Sequence, residues 1–229
     1  MTALGEALRA HAERHPDGLA LDGGAHGTRT WRQLNAEINA LSDEFADQFN
    51  PDRPVAVALD AGLAQCLTDL ALLEAGIPCL PLPRFFTPEQ RSHALADAGA
   101  QAILTPADTQ RGFAIDRLDL PAATLPAGTA KISYTSGSTG TPKGICLSAE
   151  HMLAVAQAVV HHVGQDHAGR HLALLPPGIL LENVAGFYAE MLAGGCYVAL
   201  PQAEVGLGNP FAAEDWKSTR LNSSHVQPS

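Results

Sequence analysis

Apolar positions along the chain alternate between helical spacing and short unbroken runs. Leu4, Leu8 and Ala12 share one side of a helical pattern over residues 1–16, and Trp31, Leu34, Ile38, Leu41 and Phe45 do the same over residues 30–49. Residues 54–59 then form a compact apolar run that reads as a buried strand. Residues 61–75 return to helix, with Gly76 as the C-terminal stop. Residues 77–82 make the next strand, and Pro78 and Pro81 predict a place near an edge or end of its sheet. Thr87 and Pro88 supply an N-cap and a first helical residue for a helix running toward Gly99, and residues 102–105 are again strand-like. Residues 106–128 mix Pro, Asp, Thr and Gly without a period and read as a connecting section. Beyond it, residues 131–134 and 145–148 are strand-like. Ser148 caps a helix from 149 to about 162, with Glu150 in its first turn. Residues 172–177 read as a buried strand stopped by prolines, 179–192 as helix and 196–201 as a last strand. This alternation predicts an α/β protein, with layered, parallel-rich sheets covered by helices.

Composition narrows the picture without naming a chemistry. With 229 residues and 46% hydrophobic content, the chain can bury a core as one large domain or two small ones. Net charge is −10, from 14 Lys and Arg against 24 Asp and Glu, and no basic block occurs, so a nucleic-acid partner is not expected. No apolar run reaches the roughly 18 residues of a membrane span. The first helix also lacks the basic start and continuous apolar stretch of a secretory signal. Cys66, Cys79, Cys146 and Cys196 are widely spaced with no Cys-x-x-Cys pair, which fits reduced thiols and predicts a cytoplasmic location.

The candidate chemistry lies between two of the strands. Tyr134-Thr135-Ser136-Gly137-Ser138-Thr139-Gly140-Thr141-Pro142-Lys143-Gly144 packs glycines, hydroxyls and one lysine into a single turn. Glycines let backbone N–H groups face an anion, hydroxyls add donors and the lysine adds a point charge, so the expected ligand is a polyphosphate. The common P-loop ends in Gly-Lys-Ser/Thr, whereas here Lys143 follows Pro142 and precedes Gly144. A surface turn is the alternative reading of such a stretch, and the flanking apolar runs argue against it. His161, His162, His167 and His171 form a second conspicuous group. Their spacing straddles a helix end and a loop, which favours a solvated helix end over a metal site.

The loop closely resembles the phosphate-loop signature of the adenylate-forming superfamily, which includes acyl-CoA synthetases, luciferase-like enzymes and peptide-synthetase adenylation domains. The order around Leu73-Glu74-Ala75-Gly76 (helix, strand, proline-rich bend, helix, short strand) resembles the superfamily's N-terminal region. The resemblance implies ATP-dependent activation of a carboxylic acid as an acyl-adenylate, then transfer to a thiol on coenzyme A or a phosphopantetheine carrier protein. It implies that Thr135, Ser136, Gly137, Ser138, Thr139, Gly140, Thr141 and Gly144 hold the nucleotide phosphates. Lys143 binds there too and steadies the departing pyrophosphate as the catalytic residue. Mg²⁺ accompanies the triphosphate, with Thr139 as its hydroxyl ligand.

Two features depart from the pattern or leave it open. Where the superfamily places an aromatic residue or histidine after a Leu-Pro strand end, this chain has Ile179. Glu182 fits the acidic position of long-chain acyl-CoA synthetases, and capping or pairing on a helix, or a place near substrate, are all open to it. The resemblance covers residues 30–201, so residues 1–216 are expected to be an incomplete N-terminal domain, inactive in adenylation by itself. A non-catalytic nucleotide-binding module or relic is the alternative. Residues 217–229 change character abruptly. Lys217-Ser218-Thr219-Arg220-Leu221-Asn222-Ser223-Ser224-His225 matches the translation of a sequencing-library adapter, and the segment is expected to be a non-native tail.

Overall fold

Two sheets and the helices between and around them make up the chain, in a computed structural model that describes residues 2–135, 142–164 and 169–205. The strands are β1 (Leu19–Asp22), β2 (Thr28–Thr30), β3 (Val55–Val57), β4 (Cys79–Pro81), β5 (Ala102–Pro106), β6 (Phe113–Arg117), β7 (Thr129–Thr135), β8 (Lys143–Ser148), β9 (Arg170–Leu172) and β10 (Cys196–Val198). The α-helices are α1 (Ala3–Arg14), α2 (Trp31–Gln48), α3 (Leu63–Ala75), α4 (Pro88–Ala98), α5 (Ala149–Val163) and α6 (Ala189–Ala193), the last continuing a π-helix over Glu182–Tyr188. One sheet has the order β2-β1-β10-β9 and the other β6-β5-β3-β4-β7-β8. In the larger sheet β5, β3, β4 and β7 run parallel, while β6 and β8 close its two sides as antiparallel hairpin arms. The predicted α/β class with parallel-rich, helix-covered sheets is what the chain adopts.

Helix boundaries follow local chemistry closely. Thr30 and Thr87 each accept from the backbone N–H three residues on, while Gln33 and Gln90 reach back, completing capping boxes. Gly76 and Gly99 end α3 and α4 in the left-handed region, at φ 69° and 63°. α3 is buried on all sides because it lies between the sheets. Its Cys66, Leu70 and Leu73 join the core under the smaller sheet with Leu21, Phe187 and Tyr197, while Ala71 and Leu72 face Val55, Ala102 and Leu104 of the larger one. α4 covers the other face through Ala94 and Ala98, against Ala56, Leu80 and Ile132.

Several sequence expectations are corrected. Residues 77–82 were expected near an edge, yet β4 lies between β3 and β7 in the interior of its sheet. The Pro78 carbonyl and the Leu82 N–H bond β3, so the even-numbered residues serve that ladder. Pro81 therefore turns its missing donor toward β7, which pairs with β4 only at Cys79 and Lys131. Residues 106–128 contain β6, paired along its length with β5. β1 and β2 were not anticipated, because four and three residues are too short to show a period. Of the buried strand expected at 172–177, only Leu172 is in a strand, as the last residue of the edge strand β9, and Leu172 and Leu174 are 45% and 51% exposed. The helix expected over 179–192 carries the π-helix in its middle. Residues 217–229 lie outside the described residues.

Candidate functional site

β7 and β8 form the stem from which the glycine- and hydroxyl-rich loop departs. Thr135, the last residue of β7, stands opposite Lys143, the first of β8, and Tyr134 stands opposite Gly144. All of this lies at the carboxyl edge of the parallel strands, where open α/β sheets take their ligands. Thr135, Lys143 and Gly144 are exposed, and no carboxylate among the described residues pairs with the Lys143 ammonium. The stem thus brings together the described members of the expected phosphate site. Ser136, Gly137, Ser138, Thr139, Gly140 and Thr141 lie outside the described residues.

Helix α4 holds this stem from one side. The His93 ring donates from Nε2 to the Pro142 carbonyl at 3.0 Å, fixing the backbone just before Lys143. The Tyr134 hydroxyl donates to Asp97 at 2.6 Å, and burial together with that carboxylate pushes the phenol well above its ordinary value. A Cβ on Gly144 would lie 3.0 Å from Tyr134 Cζ, so the ring occupies the space a side chain would need.

On the other side β7 is pinned from within. Lys131 is 2% exposed, and its ammonium donates to Asp69 Oδ2 (2.6 Å), Asn183 Oδ1 (2.6 Å) and the Tyr188 hydroxyl (3.1 Å). Nearby burial raises the Cys79 thiol to about 12 and Cys66 well above its usual range, so neither is a nucleophile.

A cavity of about 350 Å³ opens at the same edge, beyond the ends of β3 and β4. Leu59, Leu82, Phe85 and Pro176 give it apolar walls, and Gln65 and Gln202 add amides. At its mouth Arg84 pairs with Asp60 at 2.6 Å. Its size suits a small organic group.

The remaining candidates, Glu182, His161, His162 and His171, sit on elements other than β7 and β8. Glu182 is buried and accepts from His171 Nε2 (2.8 Å) on β9 and the Tyr197 hydroxyl (3.0 Å) on β10. His171 and Tyr197 stand opposite each other on β9 and β10 and stack at 5.3 Å. The hydrogen bond to Glu182 raises His171 above the ordinary imidazole value, against a smaller effect of burial. His161 and His162 stand exposed at the end of α5, and His167 lies outside the described residues. Among the described residues no three His, Cys, Asp or Glu side chains gather to hold a metal. No described helix is long and apolar enough to cross a membrane.

Solved structures share this fold. A fatty acyl-adenylate ligase from L. pneumophila, in complex with acyl adenylate and pyrophosphate, superposes with a TM-score of 0.72 at 18% identity, covering 95% of this chain and 43% of that one. O-succinylbenzoate coenzyme A synthetase from Bacillus subtilis, in complex with ATP and magnesium ion, gives 0.68 at 19% identity, covering 96% and 61%. These likenesses show that the fold is shared with those two enzymes. The AMP-binding enzyme family matches residues 8–228, and the chain belongs to that family. Among curated proteins, chondramide synthase from Chondromyces crocatus is 33% identical over 236 residues, or 90% of this chain and 6% of that protein. Tyrocidine synthase 2 from Brevibacillus parabrevis is 28% identical over 164 residues, 63% of this chain and 5% of that protein. The chain thus spans a small part of the peptide synthetases it matches.

Of the stem's supports, Lys131, His93 and Asp97 were missed by sequence reasoning. A lysine inside an otherwise apolar strand was the available signal for the first.

Proposed function

We propose that the chain supplies the triphosphate-binding part of an enzyme that activates a carboxylic acid with ATP. The observation that carries this reading is the β7–β8 stem, which sets Lys143, with no carboxylate partner among the described residues, opposite Thr135 at the carboxyl edge of the sheet, in a member of the AMP-binding family. In the reaction a carboxylate oxygen attacks the α-phosphorus of ATP, forming the acyl-adenylate and releasing pyrophosphate. The acyl group then passes to a thiol of coenzyme A or of a carrier protein, the latter favoured by the peptide-synthetase relatives.

Negative charge grows on the departing pyrophosphate, and fixed donors with a nearby cation lower that barrier by electrostatic preorganisation. Lys143 supplies the cation. Thr135 and Gly144, with Ser136, Gly137, Ser138, Thr139, Gly140 and Thr141 between them, supply hydroxyl and backbone donors. Mg²⁺ would neutralise triphosphate charge, with Thr139 as the hydroxyl toward it. The cavity between Leu59, Leu82 and Phe85 offers room for an organic group.

The test is carboxylate-dependent exchange of labelled pyrophosphate into ATP by the protein its gene encodes. An acid that triggers exchange in the wild type but not in Lys143→Ala supports the reading. Exchange untouched by the substitution removes Lys143 from the chemistry. The 229-residue chain alone is expected to give no exchange, and robust turnover by it would overturn that division. On this reading residues 217–229 lie outside the domain on account of their adapter-like sequence, although the family match runs to residue 228. Sequencing the source gene through the codons for 214–229 checks this, since an unchanged frame would return the tail to the protein.

A further inference from the structure

Lys131 lies four residues before Thr135, and no surface that a ligand could reach includes it. Its ammonium commits all three protons inside the protein, to Asp69, Asn183 and Tyr188. The Tyr188 hydroxyl donates in turn to the second Asp69 oxygen, which closes the set. Three elements far apart in sequence therefore meet on one cation: α3 through Asp69, β7 through Lys131 and the π-helix through Asn183 and Tyr188.

The π-helix makes that meeting geometrically feasible. At 3.6 residues per turn, a five-residue step swings a side chain about 140° around the axis, so Asn183 and Tyr188 could not both face one partner. Bonding from i to i+5 places the two nearly one above the other. The neighbouring pair shows the same registration, since Glu182 accepts from Tyr197 and Phe187 packs on the Tyr197 ring at 4.7 Å.

Stability does not account for this arrangement. A buried ion pair contributes little beyond apolar residues of the same volume, because desolvation offsets the attraction. The set also leaves Asn183 Nδ2 buried without a partner among the described residues, which costs free energy. What charge-assisted hydrogen bonds supply is fixed length and direction.

We propose that Lys131 is a positioning residue for the phosphate loop: its bonds to Asp69, Asn183 and Tyr188 lock β7 against α3 and the π-helix, and so fix where Thr135 and Lys143 present the loop. This rests on the reading that the loop holds a triphosphate. α4 grips the outer face of the stem through His93 and Asp97, and the Lys131 set grips the inner one.

The test compares the full chain with Lys131→Met and with the double variant Lys131→Met/Asp69→Leu. The single change strands the Asp69 carboxylate and lowers Tm. The double change removes both charges and is expected to return Tm to near wild type. In that thermally recovered variant, backbone amides of Ile132–Thr135 and Lys143–Ile145 should exchange with solvent about tenfold faster or more, while those of β3 and β5 keep their wild-type rates. MgATP affinity should fall by about tenfold. Tyr188→Phe keeps the ring and its volume, and should shift the same amides in the same direction if the double variant does not fold. Wild-type exchange rates and MgATP affinity in a thermally recovered variant would overturn the proposal. If the wild-type chain binds no MgATP, the triphosphate reading falls, and the exchange rates at β7 alone decide for or against positioning.

Discussion

Tyr134 and Gly144 share a single space at the stem of the loop. The tyrosine ring lies where a Cβ at residue 144 would point, and its hydroxyl is tied to Asp97. Gly144→Val should push the ring off that carboxylate and displace the adjacent Lys143, weakening MgATP binding about tenfold or more by calorimetric titration. Wild-type affinity would show that the stem absorbs the branch. His171 gives a second residue-scale test. Its value is raised in the folded state by Glu182, so its contribution to stability is full below the ordinary imidazole value of about 6.5 and is lost as pH rises through the raised one. Burial raises Glu190 as well, which acts in the same direction. The Tm of the wild type should therefore fall as pH rises above about 6.5, and Glu182→Gln should flatten that fall. An unaltered slope would exclude the pair as its source. Thr135, Lys143 and Gly144 were singled out from the sequence as a turn of hydroxyls, glycines and a lysine, and the structure brings them together on the β7–β8 stem. Lys131 was not, since its partners lie 62 and 52 residues away and only the tertiary fold brings them together.

Among the elements, helices with explicit caps were the most legible. Thr30, Thr87 and Ser148 each start a helix where the sequence predicts, because a hydroxyl satisfying an orphan N–H is a local event. Thr87→Ala should cost about 1 kcal/mol in denaturant unfolding, with no change in the far-ultraviolet signal of the folded state. A cost near zero would mean that Pro88 alone starts α4. Strands whose identity depends on a neighbour were the least legible. β2 and β6 are held by antiparallel partners rather than by any apolar run of their own. Residues 172–177 were expected to be buried from their leucines, yet Leu172 ends the edge strand β9 and stands exposed, as does Leu174 beyond it, while Ala173 is fully buried between them. The π-helix was equally hidden. Its residues fit an apolar helical pattern, and only the contacts of Asn183 with Tyr188's partner reveal the changed pitch.

At the scale of the whole molecule, the two sheets converge on one region. The carboxyl edge of the larger sheet carries the β7–β8 stem, from which we propose the phosphate loop departs, and the 350 Å³ cavity, and the segment after β9 reaches that cavity through Pro176 and Gly178. The core beneath is closed by α3, so a change at Asp69 is felt by both sheets. Fold class was readable from the alternation of periods alone. The assignment of polyphosphate chemistry needed the loop, and the support beneath the loop needed the structure. The central claim is that this edge grips a triphosphate through Lys143. Titration of the chain with MgATP, beside the same titration of Lys143→Ala, tests it most directly. The account predicts saturable binding by the wild type and affinity at least about tenfold weaker in the variant, with an unchanged Tm for the free protein. Equal affinities, or no binding by a folded wild-type chain, would contradict it.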